Sequence, residues 1–135
     1  MIVIDASAFI ASVMEDEVDD HKLKIRNIVK QDNSAIVPPL FYYETANVLL
    51  KSLRRKRITK SEYENHLELL LEFPLIVDEE TPVYTIARLA EKYHLSFYDA
   101  SYLELSIRGE YSLATFDTQL REAAKKTNTK LVIKA

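Results

Sequence analysis

Five short apolar runs, spaced along the chain, constrain the fold more than any other feature of the sequence. Each run has three residues and is too short to form a helix. The runs are residues 2–4, 35–37, 75–77, 112–114 and 131–133. The longer segments between them carry apolar residues at helical spacing. This alternation predicts an α/β fold, with a parallel sheet covered by helices on both faces.

The size and composition of the chain fit one globular domain. The chain has 135 residues, of which 47% are hydrophobic and 29% are charged, with no linker rich in Pro, Gly or Ser. We therefore expect a single domain spanning residues 1–135. The sequence has no cysteine, which excludes disulfides, thiolate metal sites and cysteine nucleophiles.

Three further properties exclude whole classes of function. Gly109 is the single glycine, and loops that cradle phosphates need several, so P-loop and dinucleotide-binding folds are excluded. The net charge of -3 argues against binding nucleic acid through overall charge, so a phosphate-bearing substrate would need a local basic patch or bound cations. No apolar run approaches the ~18 residues of a membrane span, and we expect a soluble, cytoplasmic protein.

Several residues predict where the helices begin and end. Thr59 and Glu62 have the spacing of a capping box, in which each side chain accepts from the other residue's backbone N–H. Thr81 followed by Pro82 predicts an N-cap and a first helical residue. Gly109 predicts the stop after a helix through "YDASYLELSIR".

Two aspartates follow predicted strands. Asp5 comes directly after residues 2–4, and Asp117 lies just beyond residues 112–114. The carboxyl ends of parallel strands share one edge of a sheet, which is where α/β proteins bind ligands. Each aspartate could instead be a helix N-cap, a position that favours Asp.

Two further acids lie within predicted helices. Glu44 has Leu40, Phe41 and Val48 at i−4, i−3 and i+4, which predicts that it points along a mainly apolar stripe. A lone buried carboxylate costs several kcal/mol by order of magnitude unless something compensates its charge.

Asp99 repeats this pattern near the start of a later helix. It shares a helical face with Leu103. The spacing of Ser96 and Asp99 also fits a capping pattern, which is the structural alternative to a functional role.

Four carboxylates that meet at one site repel one another unless cations neutralise them. Mg²⁺ and Mn²⁺ prefer carboxylate and water oxygens, whereas zinc favours His and Cys ligands; the chain has no Cys, and none of its three His accompanies the four acids in their motifs. Such ions lower the pKa of bound water and stabilise a leaving oxyanion. The four acids therefore predict metal-assisted hydrolysis of phosphodiesters.

At these residues the sequence resembles the PIN-domain nucleases, and among them the VapC-type toxins. Four motifs carry the resemblance in the family's order, one around each acid: "VIDASAFI", "YYETANVL", "FYDASYLELS" and "LATFDTQL". The resemblance implies a three-layer α/β/α sandwich with a central five-stranded parallel sheet. It also implies Mg²⁺ or Mn²⁺ dependence and endonucleolytic cleavage of RNA.

The resemblance also implies roles for particular residues. The positions that match the family's catalytic, metal-binding acids are Asp5, Glu44, Asp99 and Asp117. Ser7 and Thr115 match hydroxyl positions that help to line the site. Some relatives carry another acid just after the fourth, but Thr118 and Gln119 follow Asp117 here, so the number of bound metals stays open.

The resemblance implies two protein partners as well. One is a small antitoxin, and the other is a second copy of the chain. The segment "PPLFYYETANVLLKSL" is compatible with such a homodimer, since it is more apolar and aromatic than one helix face needs. The basic run Arg54, Arg55, Lys56 and Arg57 could follow an RNA backbone, or it could be a solvated helix end favoured by the helix dipole.

Two functions are alternatives to an active nuclease. A catalytically silent RNA- or protein-binding module would keep the fold and use the acidic pocket to receive a partner's Arg or Lys. A phosphoacceptor receiver domain would need paired acids near the first strand and a lysine after a late strand, and neither is evident. Metal-dependent cleavage of RNA separates the enzyme from the silent module.

Overall fold

A computed structural model describes residues 1–15 and 18–133 of the chain. Its centre is a parallel four-stranded sheet with the order β3-β2-β1-β4. The strands are β1 (Ile2–Ile4), β2 (Ala35–Val37), β3 (Ile76–Val77) and β4 (Ser112–Ala114). The α/β class and the parallel sheet are confirmed, and three of the strands have the predicted bounds.

The prediction of a fifth strand is wrong for the described part of the chain. Leu131 forms an isolated parallel bridge with Leu113. Leu113 donates to the carbonyl of Lys130 at 2.8 Å and accepts from the amide of Val132 at 2.9 Å. Because both bonds use the backbone of one β4 residue and the chain bends at Val132, this segment does not continue along β4. The sheet therefore has four strands, not five.

Seven α-helices surround the sheet in the described residues. They are α1 (Ala6–Phe9), α2 (Asp20–Val29), α3 (Leu40–Arg54), α4 (Lys60–Glu72), α5 (Val83–Tyr93), α6 (Phe97–Gly109) and α7 (Thr118–Lys126). A π-helical turn over Ile10–Met14 continues directly from α1. None of the helices in the described ranges is long and apolar enough to cross a membrane.

Of the three helix ends predicted from the sequence, one is confirmed and two differ from the structure by one residue. The capping box at α4 is present, with Thr59 and Glu62 exchanging bonds of 3.1 and 3.0 Å. At α5 the cap is Pro82, which has no side-chain donor or acceptor, so Thr81 is not the N-cap. At α6 Gly109 is the last helical residue, and Glu110 takes the left-handed conformation instead. At Gly109 an added Cβ would clash with the ring of Tyr111, so a larger residue there would require that ring to move.

The central strands are buried on both faces. Successive side chains of a strand point to opposite faces, and all three residues of β1 and of β2 are buried. On one side Phe9 packs edge-to-face against Phe41 and Phe73, with ring centroids 5.3 and 5.4 Å apart. Helices therefore cover both faces of the sheet at its centre, as the alternation of short apolar runs and helical segments predicts.

The register of β1 and β4 determines which residues meet at the carboxyl edge. Ile4 pairs with Ala114, and the amide of Asp5 donates to the carbonyl of Ala114 at 3.2 Å. The next residues of the two strands, Asp5 and Thr115, consequently lie side by side at the edge of the sheet.

Candidate active site

Asp5 is buried and held by three hydrogen bonds. Its Oδ1 accepts from the Ser7 hydroxyl at 2.7 Å and from the backbone amide of Ala8 at 2.9 Å. Its Oδ2 accepts from the hydroxyl of Thr115. The bond to Ala8 makes Asp5 the N-cap of α1, so the structural alternative weighed for this residue is correct. The same bonds fix the carboxylate at the edge of the sheet.

The two hydroxyls also tie Asp5 to the loop that follows β4. Thr115 Oγ1 accepts from the amide of Asp117 at 3.0 Å, and Ser7 Oγ accepts from the amide of Phe116 at 3.3 Å. Thr115 is fully buried, whereas Ser7 lines a surface pocket that Asp5 also borders. Of the two hydroxyls predicted to line the site, only Ser7 borders that pocket, and both contact Asp5.

Glu44 lies on α3 at the border between buried and exposed residues. It is half-buried, with Phe41 buried on one side and Val48 exposed on the other, so it does not sit within an apolar stripe as predicted. Its Oε1 accepts a hydrogen bond of 2.7 Å from the hydroxyl of Tyr102 on α6. This bond joins the two helices and orients the carboxylate.

Asp99 and Asp117 both belong to the first turns of helices. Asp99 is the third residue of α6, and its amide donates to the hydroxyl of the N-cap Ser96 at 3.0 Å. Asp117 is the N-cap of α7, and its Oδ1 accepts from the amide of Leu120 at 2.8 Å. The capping roles weighed for Ser96 and Asp117 are therefore present.

All four predicted acids line one pocket of about 320 Å³. The other polar side chains in its wall are Ser7, Glu15 and Tyr102. The pocket lies at the carboxyl edge of the sheet between α1, α3, α6 and the loop before α7. Residues from four separate parts of the sequence thus meet at one place.

Burial and mutual repulsion raise the pKa values of three of these acids. Burial is the largest cause for Asp5 and outweighs its three hydrogen bonds, with a further contribution from the charge of Asp99. Burial also raises the pKa of Glu44, opposed by the Tyr102 hydrogen bond and assisted by the charges of Asp99 and Asp5. Burial and the charge of Asp117 raise the pKa of Asp99, against a hydrogen bond with Ser96. The ionised pocket is therefore a region of uncompensated negative charge.

The donors in the pocket fit a hard divalent cation by their chemistry. They are carboxylate and hydroxyl oxygens, the ligands that Mg²⁺ and Mn²⁺ prefer. In the described part of the chain, however, no three acidic or histidine side chains are grouped closely enough to enclose an ion. Binding would require side-chain adjustment, and the metal-ligand role of the acids stays a prediction.

The basic run lies away from the pocket wall. Arg54 is the last residue of α3, and Arg55, Lys56 and Arg57 follow it, all exposed to solvent. None of the four borders the pocket. Their position at a helix C-terminus accords with a solvated end favoured by the dipole.

Two pocket residues were not found by sequence reasoning. Tyr102 follows the apolar spacing of its helix, which predicts a core residue. It is indeed nearly completely buried. Glu15 follows the π-helical turn, whose five-residue spacing is not detectable by a search for a 3.6-residue period. A search for tyrosines within one turn of a candidate acid would have found Tyr102.

Fold and pocket together define an α/β protein with an acidic site at the carboxyl edge of a parallel sheet. Comparison with known proteins identifies the family. The family model described as PIN domain matches residues 2–126. The chain belongs to the PIN-domain family.

Two proteins of one archaeon share substantial sequence with the chain. Ribonuclease VapC3 of Pyrobaculum aerophilum is 35% identical over 124 residues, covering 90% of this chain and 92% of that protein. The crystal structure of PAE2754 from Pyrobaculum aerophilum has a TM-score of 0.69 and 28% identity, covering 90% of this chain and 84% of that one. The resemblance to VapC-type proteins is confirmed.

Two more distant structures share the fold. FitAcB from Neisseria gonorrhoeae has a TM-score of 0.68 at 12% identity, covering 97% of this chain and 96% of that one. VapC20 of Mycobacterium tuberculosis, described as a toxin that cleaves the sarcin-ricin loop, has a TM-score of 0.60 at 16% identity. The match covers 91% of this chain and 95% of VapC20.

Proposed function

We propose that the chain is a divalent-metal-dependent endoribonuclease that hydrolyses RNA phosphodiester bonds, with Mg²⁺ or Mn²⁺ as its cofactor. The observation that carries this proposal is the meeting of Asp5, Glu44, Asp99 and Asp117 in one pocket. The 35% identity to a protein named Ribonuclease VapC3 supports RNA as the substrate class. A cytoplasmic location is part of the proposal, because the substrate is RNA.

The four acids would hold the cation, and the surrounding residues would keep them in place. Asp5 is fixed by Ser7, Ala8 and Thr115, and Glu44 is oriented by Tyr102. When bound, the cation would neutralise the carboxylates and supply an activated water and a stabilised leaving oxyanion. The protein itself supplies backbones that bring the four donors together at a strand end, on α3 and at the starts of α6 and α7.

We further propose that the protein is the toxin of a toxin–antitoxin pair. The description of VapC20 as a toxin supports this. A pocket lined by four carboxylates also suits a guanidinium group, whose planar fork binds carboxylates in a bidentate manner. The inhibitory partner would therefore place an Arg or Lys near Asp5 and Asp99, in competition with Mn²⁺.

A homodimer is the second assembly that we propose. Tyr43 at the start of α3 and Tyr98 at the start of α6 are 79% and 60% exposed. They border a mainly apolar groove of about 260 Å³ together with Pro38, Pro39 and Phe97. A second copy of the chain would cover these rings and place two acidic pockets along a shared surface.

Incubation with mixed RNAs tests the nuclease proposal. We expect cleavage of RNA in Mn²⁺, no cleavage in EDTA, and loss of cleavage by at least about a hundredfold in Asp5→Asn. Metal binding without any metal-dependent cleavage would instead support the silent binding module.

A further inference from the structure

Lys22 on α2 lies at the mouth of the acidic pocket. Its Nζ is 3.3 Å from Oε2 of Glu15, which lines the pocket beside the four predicted acids. The same Nζ lies 5.9 Å from the centroid of the Phe116 ring, and Phe116 stands between Thr115 and Asp117. The Lys22 and Glu15 side chains are 24% and 51% exposed. A cation therefore lies at the rim, between the end of the π-helical turn and the loop after β4.

The stability of α2 does not explain a lysine at this position. Lys22 is the third residue of the helix, and its amide donates to the N-cap Asp19 at 2.9 Å. The first turn of a helix favours anions because of the macrodipole, and a capping box has Glu or Gln here. An ion pair this exposed contributes little to the stability of the fold. The positive charge of Lys22 therefore lies in a first helical turn, where the macrodipole disfavours a cation.

A cation at the rim would offset the repulsion between the acidic pocket and an anionic RNA substrate. The pocket is lined by carboxylates, the chain carries a net charge of -3, and RNA phosphates are anionic. The basic run that ends α3 does not border the pocket. Lys22 pairs with a residue of the pocket wall, and an ammonium group binds phosphate as a point charge.

We propose that Lys22 contacts a backbone phosphate of single-stranded RNA next to the phosphate that is cleaved. In the free protein Glu15 holds the ammonium group at the rim, and the RNA phosphate replaces Glu15 as its partner. This inference rests on the proposed ribonuclease function, because it names a substrate contact of that same site.

Equilibrium binding of a short fluorescent oligouridylate tests the contact without needing catalysis. The full chain carrying Asp99→Asn serves as the background, so that the RNA stays intact. Lys22→Ala removes the charge and Lys22→Arg keeps it. Lys30→Ala is the matched control, since it removes an exposed lysine at the other end of the same helix, about 12 Å along the axis. Each affinity is measured over a series of salt concentrations.

We expect Lys22→Ala to weaken binding about five- to tenfold and to reduce the slope of log affinity against log salt by about 0.7, the value for one phosphate on a single strand. Lys22→Arg and Lys30→Ala should keep the parent slope. In the active protein, Lys22→Ala should raise KM more than it lowers kcat, because the contact binds substrate and does no chemistry.

Equal affinities and slopes for Lys22→Ala and Lys30→Ala would overturn the proposal, and so would a failure of the Asp99→Asn background to bind the oligouridylate. Failure of the proposed function gives a different result. In that case the wild-type chain cleaves no RNA in Mn²⁺, while the slope difference between the two lysine variants still reports the phosphate contact.

Discussion

The hydroxyl of Tyr102 opposes the rise in the pKa of Glu44. Burial and the charges of Asp99 and Asp5 raise the pKa of Glu44, while the hydrogen bond from Tyr102 lowers it because the bond stabilises the ionised carboxylate. Burial and the contact with Glu44 also raise the pKa of Tyr102, which keeps its proton available for donation. Tyr102 is therefore a positioning residue whose hydrogen bond favours the ionised form of Glu44.

Removal of this hydroxyl should change the pH dependence of the proposed reaction. In Tyr102→Phe the pKa of Glu44 loses its lowering contribution and rises, so we expect the acid limb of the kcat/KM profile in Mn²⁺ to move to higher pH. Tyr84→Phe, on an exposed ring outside the pocket, is the matched control. An acid limb that stays in place in Tyr102→Phe would contradict this role.

The repulsion around Asp99 should be measurable in the stability of the metal-free protein. The folded-state pKa of Asp99 lies above its ordinary value of 3.8, so the folded protein binds more protons than the unfolded chain just above that pH. The free energy of unfolding contributed by this group therefore falls as the pH rises through the window. The ionised Asp99 destabilises the metal-free fold near neutral pH.

We expect Asp99→Asn to unfold at a higher temperature than the wild type in EDTA at pH 7, with a difference that shrinks as the pH falls and Asp99 takes up a proton. Addition of Mn²⁺ should stabilise the wild type more than the variant, because the cation neutralises the repulsion. Thermal melting at several pH values checks this. A variant that melts below the wild type in EDTA at pH 7 would show that Asp99 stabilises the fold.

The four acids could be predicted from the sequence because two follow apolar strands and two share helical spacing with apolar residues. Asp5 ends an apolar run, whereas Glu44 has apolar residues at helical spacing, although the structure places it at the border of the buried face. Thr115 was found through its family position, but its burial behind Asp5 depends on the register of two strands that are distant in sequence. Glu15 breaks no pattern, since charged residues are ordinary there, and only the fold brings it to the pocket. Lys22 departs from the preference for acids in a first helical turn, but only the fold places it beside Glu15.

At the scale of elements, α7 shows how one side chain caps a helix and faces the site. Asp117 Oδ1 accepts from the amide of Leu120, and the residue also lines the acidic pocket. Asparagine caps helices about as well as aspartate, whereas alanine does not. The two roles can therefore be separated by substitution.

We expect Asp117→Asn to melt no lower than the wild type in EDTA, because it keeps the cap and removes a charge that repels Asp99. Asp117→Ala should lose about 1 kcal/mol of unfolding free energy relative to Asp117→Asn. Both should lose metal-dependent cleavage to a similar extent, because both lack the charge that the cation needs. Chemical denaturation and a cleavage assay on the same samples make the comparison. Full cleavage by Asp117→Asn would show that Asp117 acts only as a cap.

The elements were predictable where local chemistry decides them. The α4 capping box depends on two residues three positions apart and was predicted correctly. The segment after α7 was wrongly predicted as a strand, because "LVI" has strand propensity but only Leu131 pairs with β4. The π-helical turn follows from no local rule, and Arg26 of α2 binds it: its Nε donates to the carbonyl of Ser12 at 2.7 Å and its Nη2 to the carbonyl of Glu15 at 2.9 Å.

At the scale of the whole molecule, the exposed rings of Tyr43 and Tyr98 predict self-association. We expect light scattering at micromolar concentration to give the mass of two chains, and Tyr43→Arg to shift it to one by placing a charge in the apolar groove. Tyr84→Arg is the matched control, since Tyr84 is 80% exposed but does not border the groove. A wild-type mass of one chain would contradict the proposed homodimer.

The central claim is that Asp5, Glu44, Asp99 and Asp117 form one metal-dependent site. Its most direct test is single-turnover cleavage of RNA across a Mn²⁺ titration, with the wild type and the four variants Asp5→Asn, Glu44→Gln, Asp99→Asn and Asp117→Asn. We predict metal-dependent cleavage by the wild type and a loss of at least about a hundredfold in every variant, because positioning of the cation and activation of water carry most of the chemistry. Normal cleavage in two of the four variants would contradict the assignment.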